Sequence, residues 1–268
     1  MANGQARLWH LPSSHFSEKV RWALEYKRIP HTRHLPRAVP HFVVARILTG
    51  GDVRTFPILQ LGDETIGDST TIIAELERRY PEPPLYPEDP ADRERALAIE
   101  DWFDVNLGRD IRVIALHGVT NDPPRLRELS GRHIPLNFRP FPDAWAKLFA
   151  TTVKQRYGIA KPGRLEQARE GVAQAFDRLE QELGDGEYLV GDTFTVADLT
   201  AASHFYWLVQ PPEGPRIVAR LPQPVAEFIE PFTERDGYKW VLETYRRHRR
   251  AVGSAHGSER VPAGSRAA

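Results

Sequence analysis

Five prolines fall within the ten residues from Pro81 to Pro90, and this segment divides the chain into two unlike parts. Proline fixes its own φ angle and disfavours helix at the preceding residue, so the segment is expected to be stiff and extended. Short apolar runs alternate with single helical patterns before it, whereas helical spacing continues with few breaks after it. We therefore predict an α/β domain over residues 1–82, a linker over 83–90 and an all-helical domain over 91–250.

Composition excludes several classes of site and partner. The formal net charge is +0 and the sequence pI is about 7.2, which argues against binding to nucleic acid or to an anionic membrane surface. No apolar stretch has the length of a membrane span and no signal-type apolar core opens the chain, so a cytoplasmic location is expected. The chain has no cysteine, which excludes disulfides, thiolate nucleophiles and cysteine metal sites. The Ser-, Gly-, Ala- and Arg-rich stretch 251–268 is expected to be disordered.

The segment from Leu8 to Tyr26 has the pattern of a strand, a tight polar turn and an amphipathic helix. The turn contains Ser13 and Ser14, directly before the first helical residues. It would direct the first backbone N–H groups of the helix toward whatever lies above these two hydroxyls. Small hydroxyl residues at such a place cap the helix, bind an anion, or do both. The helix itself is predicted from the apolar positions Phe16, Val20, Ala23 and Leu24.

The remaining elements of the N-terminal domain follow from short patterns. A second strand is expected over 31–35, and residues 36–55 are expected to be irregular. The run Phe56 to Leu61 is typical of a strand with a proline near its start, where proline is tolerated. A Gly-Asp turn then leads to a short strand, and Gly67-Asp68-Ser69 opens a helix.

The second part of the chain is predicted to be helical. One long helix is expected over 91–119, a loop over 121–141 and a further helix over 142–157. Another helix begins near Leu165 and stops at Gly184-Asp185-Gly186. Thr195 and Asp198 have the spacing of a capping box, which predicts a helix from there to about Val209. Two more helices are expected, near 224–235 and 237–249.

Several of these motifs, in this order and spacing, resemble the cytosolic glutathione S-transferase superfamily, in particular bacterial members with a Ser- or Cys-type N-terminal motif. The resemblance covers roughly residues 5–250. It implies a thioredoxin-like N-terminal domain followed by an all-α C-terminal domain. The motifs are the strand–Ser–helix unit, Phe56-Pro57-Ile58-Leu59, Gly67-Asp68-Ser69-Thr70, the Pro-rich linker and the stretch from Val190 to Asp198.

The resemblance implies where glutathione would bind. The backbone of Phe56, before a cis Pro57, would face the cysteinyl part of glutathione, and the alternative is an ordinary edge-strand proline. Asp68 and Ser69 would bind the γ-glutamyl end, since a carboxylate can pair with the ammonium while helix amides and a hydroxyl suit the glutamyl carboxylate. Plain capping of the helix is the alternative reading of this pair, and both can hold at once.

Ser14 aligns with the residue that contacts the glutathione sulfur in Ser- and Cys-type members. A serine cannot form a mixed disulfide, so its hydroxyl would donate a hydrogen bond to the bound thiolate and lower the pKa of the thiol. The alternatives are that Ser14 is only a helix cap, or that Ser13 or Ser17 contacts the sulfur. His15 departs from the proline that often follows this position in the family.

The electrophile site of the family lies between the domains, against the first helices of the C-terminal domain. Six residues of this chain supply an aromatic and basic face there, although core packing and solvated surface are the plainer readings of each. No metal site is expected, because His31-x-x-His34 matches no established zinc spacing. The candidate substrate-binding residues are Trp102, Phe103, Asn106, Arg109, Arg112 and His117.

The leading hypothesis from sequence is an enzyme that activates glutathione or a related thiol, as a cosubstrate, for conjugation to a small electrophilic molecule. Two alternatives stay open. One is a non-catalytic binding or interaction protein with the same fold, and the other is a glutathione-dependent isomerase. The resemblance also implies a homodimer. The charge, the apolar pattern and the histidine spacing give no reason to expect nucleic acid, membrane or metal as a partner.

Overall fold

The computed structural model describes residues 6–36, 41–124, 126–127, 140–215 and 221–249. The expected tail 251–268 and most of the expected loop 121–141 lie outside these ranges. The N-terminal part forms β1 (Ala6–Trp9), α1 (His15–Tyr26), β2 (His31–His34), α2 (His41–Leu48), β3 (Ile58–Leu61), β4 (Glu64–Gly67) and α3 (Ser69–Arg79).

The four strands form one sheet in the order β2-β1-β3-β4. β1 and β2 are parallel, as expected for strands joined by the crossover helix α1, and β3 runs antiparallel to both β1 and β4. β1 and β4 therefore run in the same direction. As a result, the helices α1 and α3, which follow these two strands, both begin at the same edge of the sheet.

The expectation that residues 36–55 are irregular is wrong for residues 41–48, which form α2. Two adjacent β-branched residues, Val43 and Val44, give this segment little intrinsic helix propensity. Tertiary packing decides instead, because Ala45 is fully buried against Phe56 and Ile58 in a small cluster beside the sheet.

The C-terminal part is helical throughout its regular elements, so the predicted thioredoxin-like plus all-α architecture is confirmed. An irregular segment connects α3 to α4, and a single turn of 3₁₀ helix follows α9. None of the described helices is long and apolar enough to cross a membrane. The helices are α4 (Pro90–Val105), α5 (Leu107–Thr120), α6 (Pro142–Arg156), α7 (Arg164–Leu183), α8 (Val196–Val209), α9 (Gln223–Ile229) and α10 (Asp236–His248).

The expected single helix over 91–119 is wrong, because it is interrupted at Asn106. The Asn106 side chain donates a hydrogen bond to the carbonyl of Trp102 at 2.8 Å, where the backbone N–H of Asn106 also donates at 3.0 Å. An amide side chain that competes for the carbonyl four residues earlier disturbs the regular ladder. α4 therefore ends at Val105, and α5 begins at Leu107.

α8 is the central helix of the second domain, and each of its 14 residues is buried. It packs against α1, α4, α5 and α10, which explains why it carries no polar face. The capping box is present as predicted. The Asp198 carboxylate accepts from the backbone of Thr195 at 2.8 Å and also from the backbone of Leu189 at 2.8 Å.

Candidate functional site

The register of the sheet brings three of the predicted motifs to one edge. Trp9, the last residue of β1, pairs with Ile58, the first residue of β3, and Ile58 pairs with Gly67, the last residue of β4. The turn that leads to Ser14, the Phe56–Pro57 peptide and the Asp68-Ser69 pair therefore all leave the sheet at this edge. The N-termini of α1 and α3, with their partial positive charge, lie at this same edge.

Ser14 caps α1. Its backbone is extended, with φ −86° and ψ 126°, and its hydroxyl oxygen accepts from the backbone N–H of Ser17 at 3.3 Å. Its side chain is half-buried, and within the described part of the chain its hydroxyl donates to no other group. Ser17 is fully buried and its hydroxyl accepts from the backbone of Leu11, whereas Ser13 is exposed in the turn. Only Ser14 combines a helix cap with a hydroxyl hydrogen that remains available.

The turn before Ser14 is held by buried groups that the sequence pattern did not reveal. Arg21 donates to the carbonyls of Leu11 and Pro12 at 3.3 and 3.1 Å, and the hydroxyl of Tyr206 on α8 donates to Pro12 at 3.4 Å. The Arg21 guanidinium is itself paired with Glu18 at 2.8 Å. The only sequence signal was a charged pair three residues apart on α1, which normally marks a solvated face.

The Phe56–Pro57 peptide is cis, as the resemblance implied. The Phe56 side chain is 2% exposed and packs under α2. Pro57 is buried as well, and the peptide lies directly before Ile58, which pairs with Trp9 at the end of β1.

Asp68 caps α3 with an unusual backbone conformation, since φ is 68° and ψ is 133°. Residues other than glycine rarely adopt a positive φ, and such conformations are concentrated at functional sites. One carboxylate oxygen of Asp68 accepts from the backbone of Thr70 and Thr71, both at 3.1 Å, so the capping reading is correct. Asp68 is exposed, while Ser69 is buried at the first turn of α3.

A buried polar network lies behind this edge and joins the two domains. Lys19 on α1 donates to Asp104 on α4 at 2.6 Å, and its Nζ lies 2.7 Å from Oε1 of Glu100. Thr70 on α3 donates to the same Asp104 oxygen at 2.7 Å, and Nε2 of His204 on α8 lies 2.9 Å from the other. The network fixes α1 and α3 against α4 and α8.

Electrostatics in this network follow from burial and pairing. Burial alone would lower the pKa of Lys19, but Asp104 and Glu100 hold it above its usual value. Burial would likewise raise the pKa of Asp104, yet the Lys19 ammonium and His204 hold it well below the usual range. Burial lowers the pKa of His204 despite the adjacent carboxylate.

The six residues predicted to bind substrate lie in different surroundings. Phe103 is fully buried and packs on Phe205, so it serves the core. Trp102 is half-buried beneath the Arg178 guanidinium, which lies 5.9 Å from its ring, and Asn106 is engaged with the backbone of α4. These placements favour the interpretation that the two aromatic residues pack in or against the core.

The three residues on α5 also have different surroundings. Arg109 is exposed, and its Nε lies 3.9 Å from Asp110. His117 lines a cavity of about 390 Å³ between α5, α7 and α9. Arg112 alone contacts the first turn of α1, with its guanidinium carbon 5.1 Å from the centre of the Phe16 ring.

His31 and His34, whose spacing matches no established zinc pattern, contact nearby residues of the chain. His31 lies 2.9 Å from the carbonyl of Ile29, and His34 lies 2.9 Å from the hydroxyl of Thr32. In the ranges that the structure describes, no group of three or more histidine, aspartate or glutamate side chains is arranged to hold a metal ion.

Comparison with known proteins agrees with this geometry. Residues 8–84 match the family model "Glutathione S-transferase, N-terminal domain", and residues 162–241 match "Glutathione S-transferase, C-terminal domain". FtsZ-localized protein A of Caulobacter vibrioides is 24% identical over 199 residues, which is 74% of each chain.

Solved structures share the fold at low sequence identity. FzlA from C. crescentus aligns with a TM-score of 0.57 and 21% identity, over 90% of this chain and 92% of that one. A glutathione S-transferase of Ceriporiopsis subvermispora in complex with glutathione aligns with a TM-score of 0.62 and 19% identity, over 91% and 98%. A glutathione S-transferase of Methylobacterium radiotolerans, in complex with glutathione sulfonate, gives 0.54 and 21%, over 89% and 95%. On the match of both domains and the fold they share, this chain belongs to the glutathione S-transferase superfamily.

Proposed function

We propose that this chain is a glutathione-dependent transferase, in which Ser14 donates a hydrogen bond to the sulfur of glutathione or a closely related thiol. The observation that carries the proposal is the Ser14 hydroxyl. Its oxygen caps α1, while its hydrogen donates to no group in the described ranges and lies at the sheet edge where both α1 and α3 begin. A donor and a helix N-terminus both favour the thiolate over the thiol.

The nucleophile in this reaction is then the sulfur of the cosubstrate. The thiol loses its proton to solvent, and the thiolate attacks an electrophilic carbon to form a carbon–sulfur bond. In a substitution the leaving group departs with the electron pair of the bond that breaks. Ser14 and the amides of α1 stabilise the negative charge on sulfur, and the protein contributes by positioning the two reactants.

The proposal extends to the remaining glutathione contacts, which would lie at the same edge. The cis Phe56–Pro57 backbone would receive the cysteinyl part, and Asp68 with Ser69 would receive the γ-glutamyl end. Capping occupies one carboxylate oxygen of Asp68, and within the described residues the other makes no hydrogen bond. The positive φ of Asp68 is consistent with a backbone held for ligand binding.

A titration with glutathione tests this proposal directly. Thermal stability of the wild type should rise with millimolar thiol, because a ligand that binds only the folded state stabilises it. Conjugation of a chlorodinitrobenzene should then be slower in Ser14→Ala than in the matched Ser13→Ala control. Absence of any stabilisation by glutathione or a related thiol would contradict the proposal, and unchanged turnover in Ser14→Ala would remove Ser14 from its role.

The second candidate is an interaction protein of the same fold, and the similarity to FtsZ-localized protein A favours it. His15 supports this reading as well, because its imidazole is buried and lies edge-on to His204 at 4.9 Å, where the family often has proline. Co-sedimentation with polymerised FtsZ tests it. Binding to the polymer that is equal in wild type and Ser14→Ala would favour this function over thiol transfer.

The homodimer implied by the family also remains a proposal. Sedimentation equilibrium at several protein concentrations tests it, since a dimer of this chain has twice the monomer mass of 30.5 kDa.

A further inference from the structure

The guanidinium of Arg112 is held between aromatic rings without an acidic partner. Its central carbon lies 5.1 Å from the Phe16 ring centre and 5.5 Å from the Tyr157 ring centre. Across the described ranges it makes neither an ion pair nor a hydrogen bond. Stacking on a ring stabilises a cation, but it satisfies none of the five N–H donors of a guanidinium.

A second arginine lies on the same tyrosine. The Arg156 guanidinium, at the end of α6, is 5.7 Å from the Tyr157 ring centre and 5.9 Å from that of Phe42 on α2. No ion pair to Arg156 is found in the described ranges either. Burial, together with the positive charge of Arg156, lowers the pKa of Arg112. Since a guanidinium stays protonated in proteins, two like charges are held close together here.

The neighbouring acids are already engaged elsewhere. Asp110, on the same helix as Arg112, accepts from Arg164 at 2.9 Å. Asp104 is bound by Lys19 and Thr70. A partly buried cation without a counter-charge is costly, so this pair of arginines is suited to an anion that comes from outside the chain.

We propose that Arg112 and Arg156 bind a carboxylate or sulfonate group of the electrophilic cosubstrate, whose apolar body packs against Phe16, Phe42 and Tyr157. The reaction of this molecule with a thiol rests on the proposed function, whereas its binding does not. Phe16 follows Ser14 by two residues, so the proposed anion site and the proposed sulfur position involve the same end of α1. Helices of both domains contribute to the site, namely α1, α2, α5 and α6.

Two fluorescent probes that share one skeleton test the charge requirement without any thiol. Anilinonaphthalene sulfonate carries the anion and phenylnaphthylamine lacks it. Arg112→Met and Arg156→Met should each weaken sulfonate binding about tenfold, the loss expected for one charge-assisted hydrogen bond, and change binding of the neutral amine less than about twofold. Arg46→Met is the matched control, because Arg46 is an exposed arginine of α2 that lies over none of the three rings. It should change neither affinity.

Three results would overturn the inference. They are absence of saturable sulfonate binding to the wild type, equal weakening of both probes in the arginine variants, and an effect of Arg46→Met as large as theirs. The probe measurements involve neither thiol nor turnover. They therefore test anion binding even if the transferase proposal fails.

The turnover experiment separates the cosubstrate from glutathione as the source of the anion. With a chlorodinitrobenzoate acceptor, Arg112→Met should lower kcat/KM for the acceptor about tenfold, and with neutral chlorodinitrobenzene about twofold or less. The KM for glutathione should be unchanged. A rise in the KM for glutathione with both acceptors would show that the arginines bind the carboxylate of the thiol, and would overturn the assignment to the electrophile.

Discussion

Arg249 donates a hydrogen bond of 2.8 Å to the carboxylate of Glu18, although the two residues are 231 positions apart in the chain. Both side chains are fully buried, and the second oxygen of Glu18 accepts from Arg21 at 2.8 Å. Arg21 in turn holds the carbonyls of Leu11 and Pro12, directly before Ser14. The residue that follows the last helix is thus connected, through one buried carboxylate, to the turn that carries the candidate catalytic hydroxyl.

Removal of Arg249 should be strongly destabilising. Arg249→Met leaves the Glu18 charge buried with one partner fewer, and breaking a buried ion pair typically costs about 3–5 kcal/mol of the free energy of unfolding. Urea unfolding followed by tryptophan fluorescence measures this loss. Arg246→Met is the matched control, because Arg246 is exposed and its pair with Glu243 is a surface one; it should cost less than about 1 kcal/mol.

The double variant Glu18→Gln with Arg249→Met distinguishes coupling from simple loss of packing. If the two groups interact, the double variant should lose less stability than the sum of the two single variants. Strict additivity of the two losses would contradict a direct interaction.

Glu18 should make stability depend on pH in the acidic range. Burial alone would raise its pKa, but Arg249 and Arg21 lower it below the usual value of 4.5. The folded state therefore binds this proton less tightly than the unfolded state, so the stabilisation is present above pH 4.5 and is lost as pH falls through the lower folded pKa. Thermal unfolding from neutral pH downward should show the advantage of wild type over Glu18→Gln shrinking below pH 4.5. A difference that is constant with pH would contradict the assignment.

The elements that depend on local sequence were predictable, whereas contacts between distant residues were not. The capping box at Thr195, the cap at Asp68 and the end of α7 near Gly184 follow from spacing within a few residues. The buried ion pairs of Lys19 and Glu18 on α1 were not predictable, because their partners Asp104 and Arg249 lie far along the chain. The prediction of a single apolar face on α1 was therefore incomplete, since α8 and α10 also contact this helix.

The residues of the candidate site likewise include some that were predictable from local sequence and some that were not. Ser14, Pro57 and Asp68 belong to motifs with a fixed local pattern, and the sheet register brings them to one edge. Arg156 and Tyr157 were missed because they lie at the end of a helix whose place beside α2 and α5 is set only by tertiary packing. Composition and periodicity carry no signal for such a contact.

Gly108→Ala should disturb the contact between the two domains. A Cβ atom at Gly108 would lie 2.7 Å from the Phe16 ring, closer than such atoms approach, and 3.0 Å from the His204 ring, which is a tight contact. Overpacking of this kind typically costs about 1–3 kcal/mol of the free energy of unfolding. Because Phe16 must move from beneath Arg112, binding of the sulfonate probe should weaken as well.

Gly118→Ala on the same helix is the control for Gly108→Ala. Its Cβ would lie 3.3 Å from the end of the Pro222 ring and 3.9 Å from the Val225 side chain, and alanine favours helix by about 1 kcal/mol over glycine. Its stability should lie within about 1 kcal/mol of the wild type by urea unfolding. Equal stability of the two variants would show that Phe16 and His204 move without cost.

Ser14→Asp separates capping of the helix from activation of a thiol. Aspartate is as good an N-cap as serine, because its carboxylate accepts from the same backbone N–H, so the free energy of unfolding should stay within about 0.5 kcal/mol of the wild type. A carboxylate cannot donate a hydrogen bond at neutral pH, and its charge repels a thiolate. The pKa of bound glutathione, followed by the ultraviolet absorption of the thiolate, should therefore rise in Ser14→Asp, and conjugation at neutral pH should fall by about a hundredfold.

Ser14→Ala should show the complementary pattern, with a loss of about 1 kcal/mol in stability and a smaller rise in the thiol pKa. An unchanged thiol pKa in Ser14→Asp would mean that this hydroxyl only caps α1, and that another donor holds the sulfur.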